Sequence, residues 1–263
     1  MSLEFLVDPL FRLPFLTGLA LAGLLPVLGM YLRLRNEWLA ALAFAQMASG
    51  GALVAMVADA PMLLGGAVAA LLAALVKGFA ARAGASAYAL MMLLGWGGGV
   101  LLVANHPLAE QAGHALFDGQ LYFTGGAHLL AALIAVIVAM PVLAWLSRPL
   151  LLGRFFPEFF RARGLDERPR LVLFDLIAGL SVALATVSLG VMAAFALVFV
   201  PPMVVFPRAP GWRVGLLVAA VVGMGGYVTA FALALVFDQP FGPVCAILLV
   251  LLSGLVGLIG RQS

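Results

Sequence analysis

The sequence predicts an all-α fold: a polytopic bundle of transmembrane helices, about nine spans, with one short cytoplasmic helix. Three observations predict it. Of 263 residues, 65% are hydrophobic and only 10% are charged, against about 25% charged in an ordinary soluble domain. Mean hydropathy is +1.19. The apolar runs are continuous rather than alternating with period two, which selects helices over a β-barrel. Lys and Arg gather in the breaks between runs so that nearly all fall on one side of a membrane, the cytoplasmic one. The 30 glycines suit close helix contact in lipid, where small residues let backbones approach. Gly95 to Gly99, Gly223 to Gly226 and Gly254 to Gly257 are candidates for such contact. A single membrane domain over 1–263 is expected, with no soluble domain or linker. The net charge of +3 belongs to the loops, since no basic patch interleaves with exposed aromatics as nucleic-acid binding requires. The lone Cys245 excludes an intrachain disulfide and a multi-cysteine zinc site. The first apolar run is too long for a signal peptide and lacks a cleavage site, so it is expected as a retained helix.

The spans follow in order. The first, about Leu13 to Leu32, contains Pro14 and Pro26, tolerated because neighbours re-satisfy freed carbonyls. Arg33 and Arg35 follow it, which puts this end in the cytoplasm and the N-terminus outside. The second covers about Trp38 to Ala58. The third, about Met62 to Ala81, carries Lys77 and Arg82 at its cytoplasmic end. The fourth runs from about Ser86 to Ala104. Asn105 to Gly126, polar and without Lys or Arg, is expected as an external loop. The fifth span covers about Ala127 to Leu146, the sixth Leu171 to Val187 and the seventh Leu189 to Phe206, kinked or ended by Pro201-Pro202. The eighth covers about Val214 to Phe237, Asp238 to Pro243 forms an external turn, and the ninth ends near Gly260. This register places every loop Lys and Arg except Arg12 on one side. An eight-span arrangement stays open if Leu171 to Phe206 is disposed differently.

Arg148 to Arg170 is a charged island between two apolar halves and holds six of the 14 Lys and Arg. Within it, Phe155 to Gly164 predicts a short helix closed by glycine. Phe155, Phe156, Phe159 and Phe160 would share a face, to lie on lipid or to dock into another protein. Asp175, just inside the sixth span, is expected to pair with Arg168 or Arg170, because an intramembrane carboxylate needs a partner or a function. No P-loop, His-Glu-x-x-His or Gly-x-Ser-x-Gly occurs, so the chain carries no ATPase site of its own and no recognisable catalytic constellation.

Four blocks bring a family into view. They are Leu34 to Gly51, Phe155 to Gly164, Gly190 to Pro201 and Asp238 to Pro243. In this order and spacing they resemble the membrane permease subunit of ABC-type importers of zinc, manganese and iron. In the second block Glu158, Phe159, Arg161, Ala162 and Gly164 match the family's pattern. The resemblance implies a homodimer with the path at its interface, a separate cytoplasmic ATPase that holds ATP and Mg, and an external solute-binding protein. This chain itself is expected to bind no cofactor. The resemblance also makes the helix within 148–170 an ATPase-coupling element, with Phe155, Phe156, Glu158, Phe159, Arg161, Ala162 and Gly164 as its residues; a plain surface helix is the simpler alternative.

One departure bears on the cargo. The family carries Asp and His four residues apart in the second span, on one helical face. Here those positions are Leu42 and Gln46. Leucine offers no ligand and glutamine one neutral oxygen, a poor ligand for zinc. A lining of Leu42, Gln46, Met47 and Ser49 would suit a metal held in a chelate or bound by other groups; alternatively Gln46 only hydrogen-bonds between helices. His106, His114 and His128 are the weak candidates for metal ligands near the external face, and Pro201 and Pro202 for a gate. Most of the 11 methionines are expected to fill gaps. The competing function class is an ATP-independent secondary transporter or channel, which calls for inverted repeats and a broken helix pair at midplane.

Overall fold

The computed structural model describes residues 9–79, 84–119, 124–156 and 158–259. These residues form eleven α-helices and no strand. In order they are α1 (Pro9–Leu34), α2 (Leu39–Val57), α3 (Met62–Phe79), α4 (Gly84–Asn105), α5 (Pro107–Asp118), α6 (Gly126–Phe155), α7 (Glu158–Ala162), α8 (Arg168–Leu189), α9 (Val191–Val205), α10 (Trp212–Val236) and α11 (Phe241–Ile259). Six of them, α1, α2, α4, α6, α8 and α10, are long and apolar enough to cross a membrane, while α3, α9 and α11 are shorter apolar helices. These nine coincide in order with the nine apolar runs, and the multi-pass helical bundle stands.

Two segments differ from expectation. Asn105 to Gly126 holds a helix, α5, where a loop was expected. Pro107 opens it and Gly119, at φ 72, closes it. Ala109, Ala112 and Leu116, spaced by three and four residues, face the bundle and are buried. Polar neighbours masked that period. α6 also runs nine residues past the expected Leu146, through Pro149 to Phe155.

The nine apolar helices alternate in direction, so the bundle has two ends. One, the arginine-rich end, gathers the C-termini of α1, α3, α6 and α9 with the N-termini of α2, α4, α8 and α10. There the indole of Trp212 donates to Ser147 Oγ at 2.9 Å and packs edge-on against Tyr31. Tyr31 is buried and donates to the carbonyl of Leu143 at 3.2 Å. At the opposite end the Tyr227 hydroxyl reaches the carbonyls of Pro14 and Phe15 near the α1 proline. There α5 lies over the α8–α9 junction so tightly that a Cβ on Gly119 would meet the Leu189 carbonyl at 2.5 Å.

The turns are made by residues that tolerate left-handed backbone. Asn36, Asp59 and Asp238 have φ of 58°, 54° and 50°. Asn and Asp visit this region at lower cost than other non-glycine residues. Of the glycine stretches, Gly95 and Gly223 sit against neighbouring backbone and Gly226 against Leu249, whereas Gly97, Gly98, Gly225 and Gly254 meet nothing.

Candidate functional site

α2 runs between α3 and α4 with almost no room on either side. A Cβ on Gly51 would meet the Gly65 carbonyl of α3 at 2.6 Å, and one on Gly95 of α4 would meet the Gln46 carbonyl at 2.4 Å. The four expected path residues all lie on this helix. Gln46 is buried, 5% exposed, and its Oε1 has no hydrogen-bond partner. That is costly, because a buried acceptor loses its water without replacement. Ser49 is fully buried and donates to the Gln46 carbonyl at 2.9 Å, so its hydroxyl is used locally. Leu42 is half-buried, and half-buried Met47 borders an apolar groove with Gly50, Val54 and Leu64.

At the foot of α2 stands a cluster of four charges that sequence reasoning did not assemble. Arg35 follows α1, Glu37 lies in the α1–α2 turn, Lys77 stands in the last turn of α3 and Asp175 lies two turns into α8. Arg35 contacts Glu37 at 2.8 Å and Asp175 at 2.9 Å. Lys77 contacts Glu37 at 2.9 Å and also pairs closely with Asp175. The four form a closed ring of alternating sign with zero net charge. Asp175 is 3% exposed and Lys77 8%. The left-handed turn at Asn36 lets Arg35 and Glu37 enter the same ring. Arg35 also lies over the Phe174 ring at 4.9 Å and Lys77 over Tyr88 at 5.7 Å. The expectation that Asp175 pairs with Arg168 or Arg170 is thus corrected. Its partners come from the end of α3 and from the residue after α1, and the reason is geometric: Arg170 lies about 140° round the helix from Asp175, on another face, and Arg168 lies two turns, about 10 Å, away along the axis.

The ring opens onto the arginine-rich segment. A cavity of about 190 Å³ is lined by Arg35 and Glu37 on one side and by Gly153, Phe160, Glu167 and Arg170 on the other. Phe155 to Gly164 is not one helix: α6 ends at Phe155, α7 spans only Glu158–Ala162, and Gly164 at φ 63 closes it. The four aromatics therefore do not share a face. Phe155 and Phe156 are exposed, Phe159 is half-buried, and Phe160 is 5% exposed. Arg163 lies over Phe159 at 4.6 Å and Arg170 over Phe160 at 5.3 Å. Glu158, Ala162 and Gly164 are exposed; the Arg161 side chain falls outside the described residues.

Comparison with known proteins decides the family. The model of the ABC 3 transport family matches residues 8–259. The chain belongs to that family. It is a membrane transport permease of ABC type, as the four sequence blocks led us to expect. No curated protein matches it. In fold it is similar to PsaBC from Streptococcus pneumoniae, solved in complex with Fab, with a TM-score of 0.83 at 15% identity over 96% of this chain and 93% of that one. It is also similar to the inward-facing conformation of a putative metal-chelate type ABC transporter, with a TM-score of 0.74 at 17% identity over 99% of this chain and 88% of that one. At these identities the likeness is one of fold.

The remaining candidates of this ABC 3 family chain are scattered. His106 caps α5 and His114 sits on its exposed face. His128, in the first turn of α6, accepts from the Gly125 N–H through Nδ1 at 3.3 Å and borders a cavity with Met56, Met62 and Gln111. Among the described residues no three His, Cys, Asp or Glu side chains come together as a metal site. Pro201 and Pro202 are buried inside α9, which continues to Val205, so they do not end that helix. A Cβ on Gly29 would meet the Val198 carbonyl at 1.9 Å and Pro202 Cγ at 2.6 Å, so Pro202 packs against α1.

Proposed function

We propose that the chain is the permease subunit of an ATP-binding-cassette importer in a bacterial cytoplasmic membrane, carrying a divalent metal ion or a metal chelate. The family match over residues 8–259 carries this reading. The charge distribution supports the orientation. Lys77 and every described Arg except Arg12 stand at one end of the bundle, which the positive-inside rule assigns to the cytoplasm. The N-terminus is then external. A separate ATPase, which holds ATP and Mg, docks on the segment 148–170. A second copy of the chain completes the path, and an external solute-binding protein delivers cargo at the end where α5 lies.

The cargo follows from α2. Leu42 supplies no donor and Gln46 a single amide oxygen, whereas zinc takes nitrogen, sulfur and carboxylate ligands. The Oε1 of Gln46 is a neutral acceptor with no protein partner, a group suited to the donors that the organic shell of a chelate carries and a bare ion lacks. We therefore favour a chelated metal. The test compares cells with and without the gene, starved in turn of zinc, manganese and iron, with each metal supplied free and as a citrate complex. Elemental mass spectrometry reads uptake. A deficit confined to the complex is expected; a deficit for a free ion overturns the chelate assignment, and no deficit for any form overturns metal as cargo.

A further inference from the structure

We infer that the four-charge ring Arg35–Glu37–Lys77–Asp175 is the link that carries displacement of the 148–170 segment into α2. The inference rests on the permease reading above and deepens it by naming the residues of the transmission.

The path is continuous through the structure. Phe160, the buried residue of α7, lies beneath the Arg170 guanidinium at 5.3 Å. Arg170 belongs to the first turn of α8, and Asp175 follows on the same rigid helix. Asp175 holds Arg35 at 2.9 Å and pairs with Lys77, and both cations hold Glu37. Glu37 lies two residues before α2 begins at Leu39. The intervening Trp38 packs against Phe199 of α9 at 5.2 Å. Phe160, Arg170, Arg35 and Glu37 also border one cavity, so the ring and the docking segment face each other directly.

The physics of the ring makes it a link rather than a simple tie. If α8 shifts, Asp175 cannot leave Lys77 and Arg35 behind, because two nearly buried cations would lose half of their compensation in a low dielectric. Each cation touches both acids, so one contact can lengthen while another holds. α1, α3 and the turn into α2 must therefore follow α8. α2 in turn cannot bend away independently, since α3 and α4 press on its backbone at Gly51 and Gln46. Four charges are a poor choice for stability alone. Apolar residues of similar volume often hold helices together as well or better.

The test uses the full permease with its ATPase, in a Cys245→Ala background, with two spin-label pairs at exposed positions. Arg163→Cys, in the turn that closes α7, with Trp145→Cys reports the α7 end against α6. Val54→Cys with Leu217→Cys reports α2 against α10. Distances are measured by pulsed electron resonance, without nucleotide and after trapping with ATP and vanadate. The ring variants are Lys77→Met/Asp175→Leu, which removes one cation and one acid together, and Glu37→Gln, which spares the most buried members should the double variant fail to fold. In the unmutated ring both pairs should shift on trapping. In the ring variants the α7 pair should still shift and the α2 pair should lose at least half of its shift, with the ATPase still co-purifying. A purely structural ring would lower thermal stability and leave both shifts intact, which overturns the inference. So does an α2 pair that never moves. Failure of any ATPase to bind the unmutated permease is a different result: it overturns the permease reading on which the inference stands.

Discussion

Glu37 and Gln46 stand nine residues apart, one in the turn that leads into α2 and the other within it, yet they live in opposite regimes. Glu37 and the other three members of the ring pair with one another in a closed circuit. Gln46 is neutral, buried and left with an acceptor that nothing fills. The difference teaches where this permease concentrates its charge. At the foot of the helix, charge is locked against charge and leaves nothing for a ligand. Within α2 the described polar side chains, Gln46 and Ser49, carry no charge. A metal site built from acids would reverse this distribution.

The largest expected effect breaks the foot of the helix. Asp175→Asn leaves a nearly buried ring with one excess positive charge and should destabilise the protein by about 3–5 kcal/mol. Detergent-solubilised protein would show this in denaturant unfolding. Adding Lys77→Met should restore most of the loss, because it removes the uncompensated cation. If the double variant is as weak as the sum of the singles, the ring is not the closed unit described here.

Next comes the contact beside Gln46. A Cβ at Gly95 would lie 2.4 Å from the Gln46 backbone, and backbone cannot swing aside as a side-chain tip can. Gly95→Ala should therefore cost about 1–3 kcal/mol. Gly98→Ala, with nothing near its Cβ position, should be neutral in the same denaturant-unfolding experiment. Equal effects at the two sites would mean that α2 and α4 are not in close backbone contact at Gln46.

Smaller still is the turn that delivers Glu37 to the ring. Asn36 at φ 58 is replaceable by glycine with little loss. Asn36→Val should cost about 1–2 kcal/mol, the penalty for forcing a branched L-residue into left-handed backbone. Thermal melts of the two variants check the difference, and a Val variant as stable as the Gly one would mean that the turn relaxes elsewhere.

The two regions also differ in how far the sequence disclosed them. Hydrophobicity is local, so the nine apolar helices could be read from runs of residues, and α2 with Leu42 and Gln46 could be located to within a residue or two. The ring could not. Its contacts join residues 40, 98 and 140 positions apart, and local reasoning paired Asp175 with the arginines nearest in the chain. A signal did exist: Lys77, Asp175 and the Arg35–Glu37 turn all stand at apolar-run boundaries on the same side of the membrane, and opposite charges at one depth seek each other. α5 was missed differently. Its apolar positions Ala109, Ala112 and Leu116 carry the helical period, but two of the three are alanines, too small to outweigh Glu110, Gln111 and His114 in a hydropathy reading.

The smallest expected change in stability carries the most about function. Gln46→Leu removes a buried amide whose Oε1 has no partner and fills the site with an apolar side chain of similar size. If Oε1 is unpaired in the resting protein, the variant should be as stable as the parent or more so, by about 1 kcal/mol, since an unmet acceptor is costly to keep. Uptake of the cargo complex should nevertheless fall, because the acceptor offered to the chelate is gone. A loss of stability would instead reveal a hydrogen bond that Gln46 makes to a neighbouring helix or to water, and unchanged uptake would take it out of the path. Stability gained together with transport lost is the pairing expected of a residue kept for its cargo at the expense of the fold.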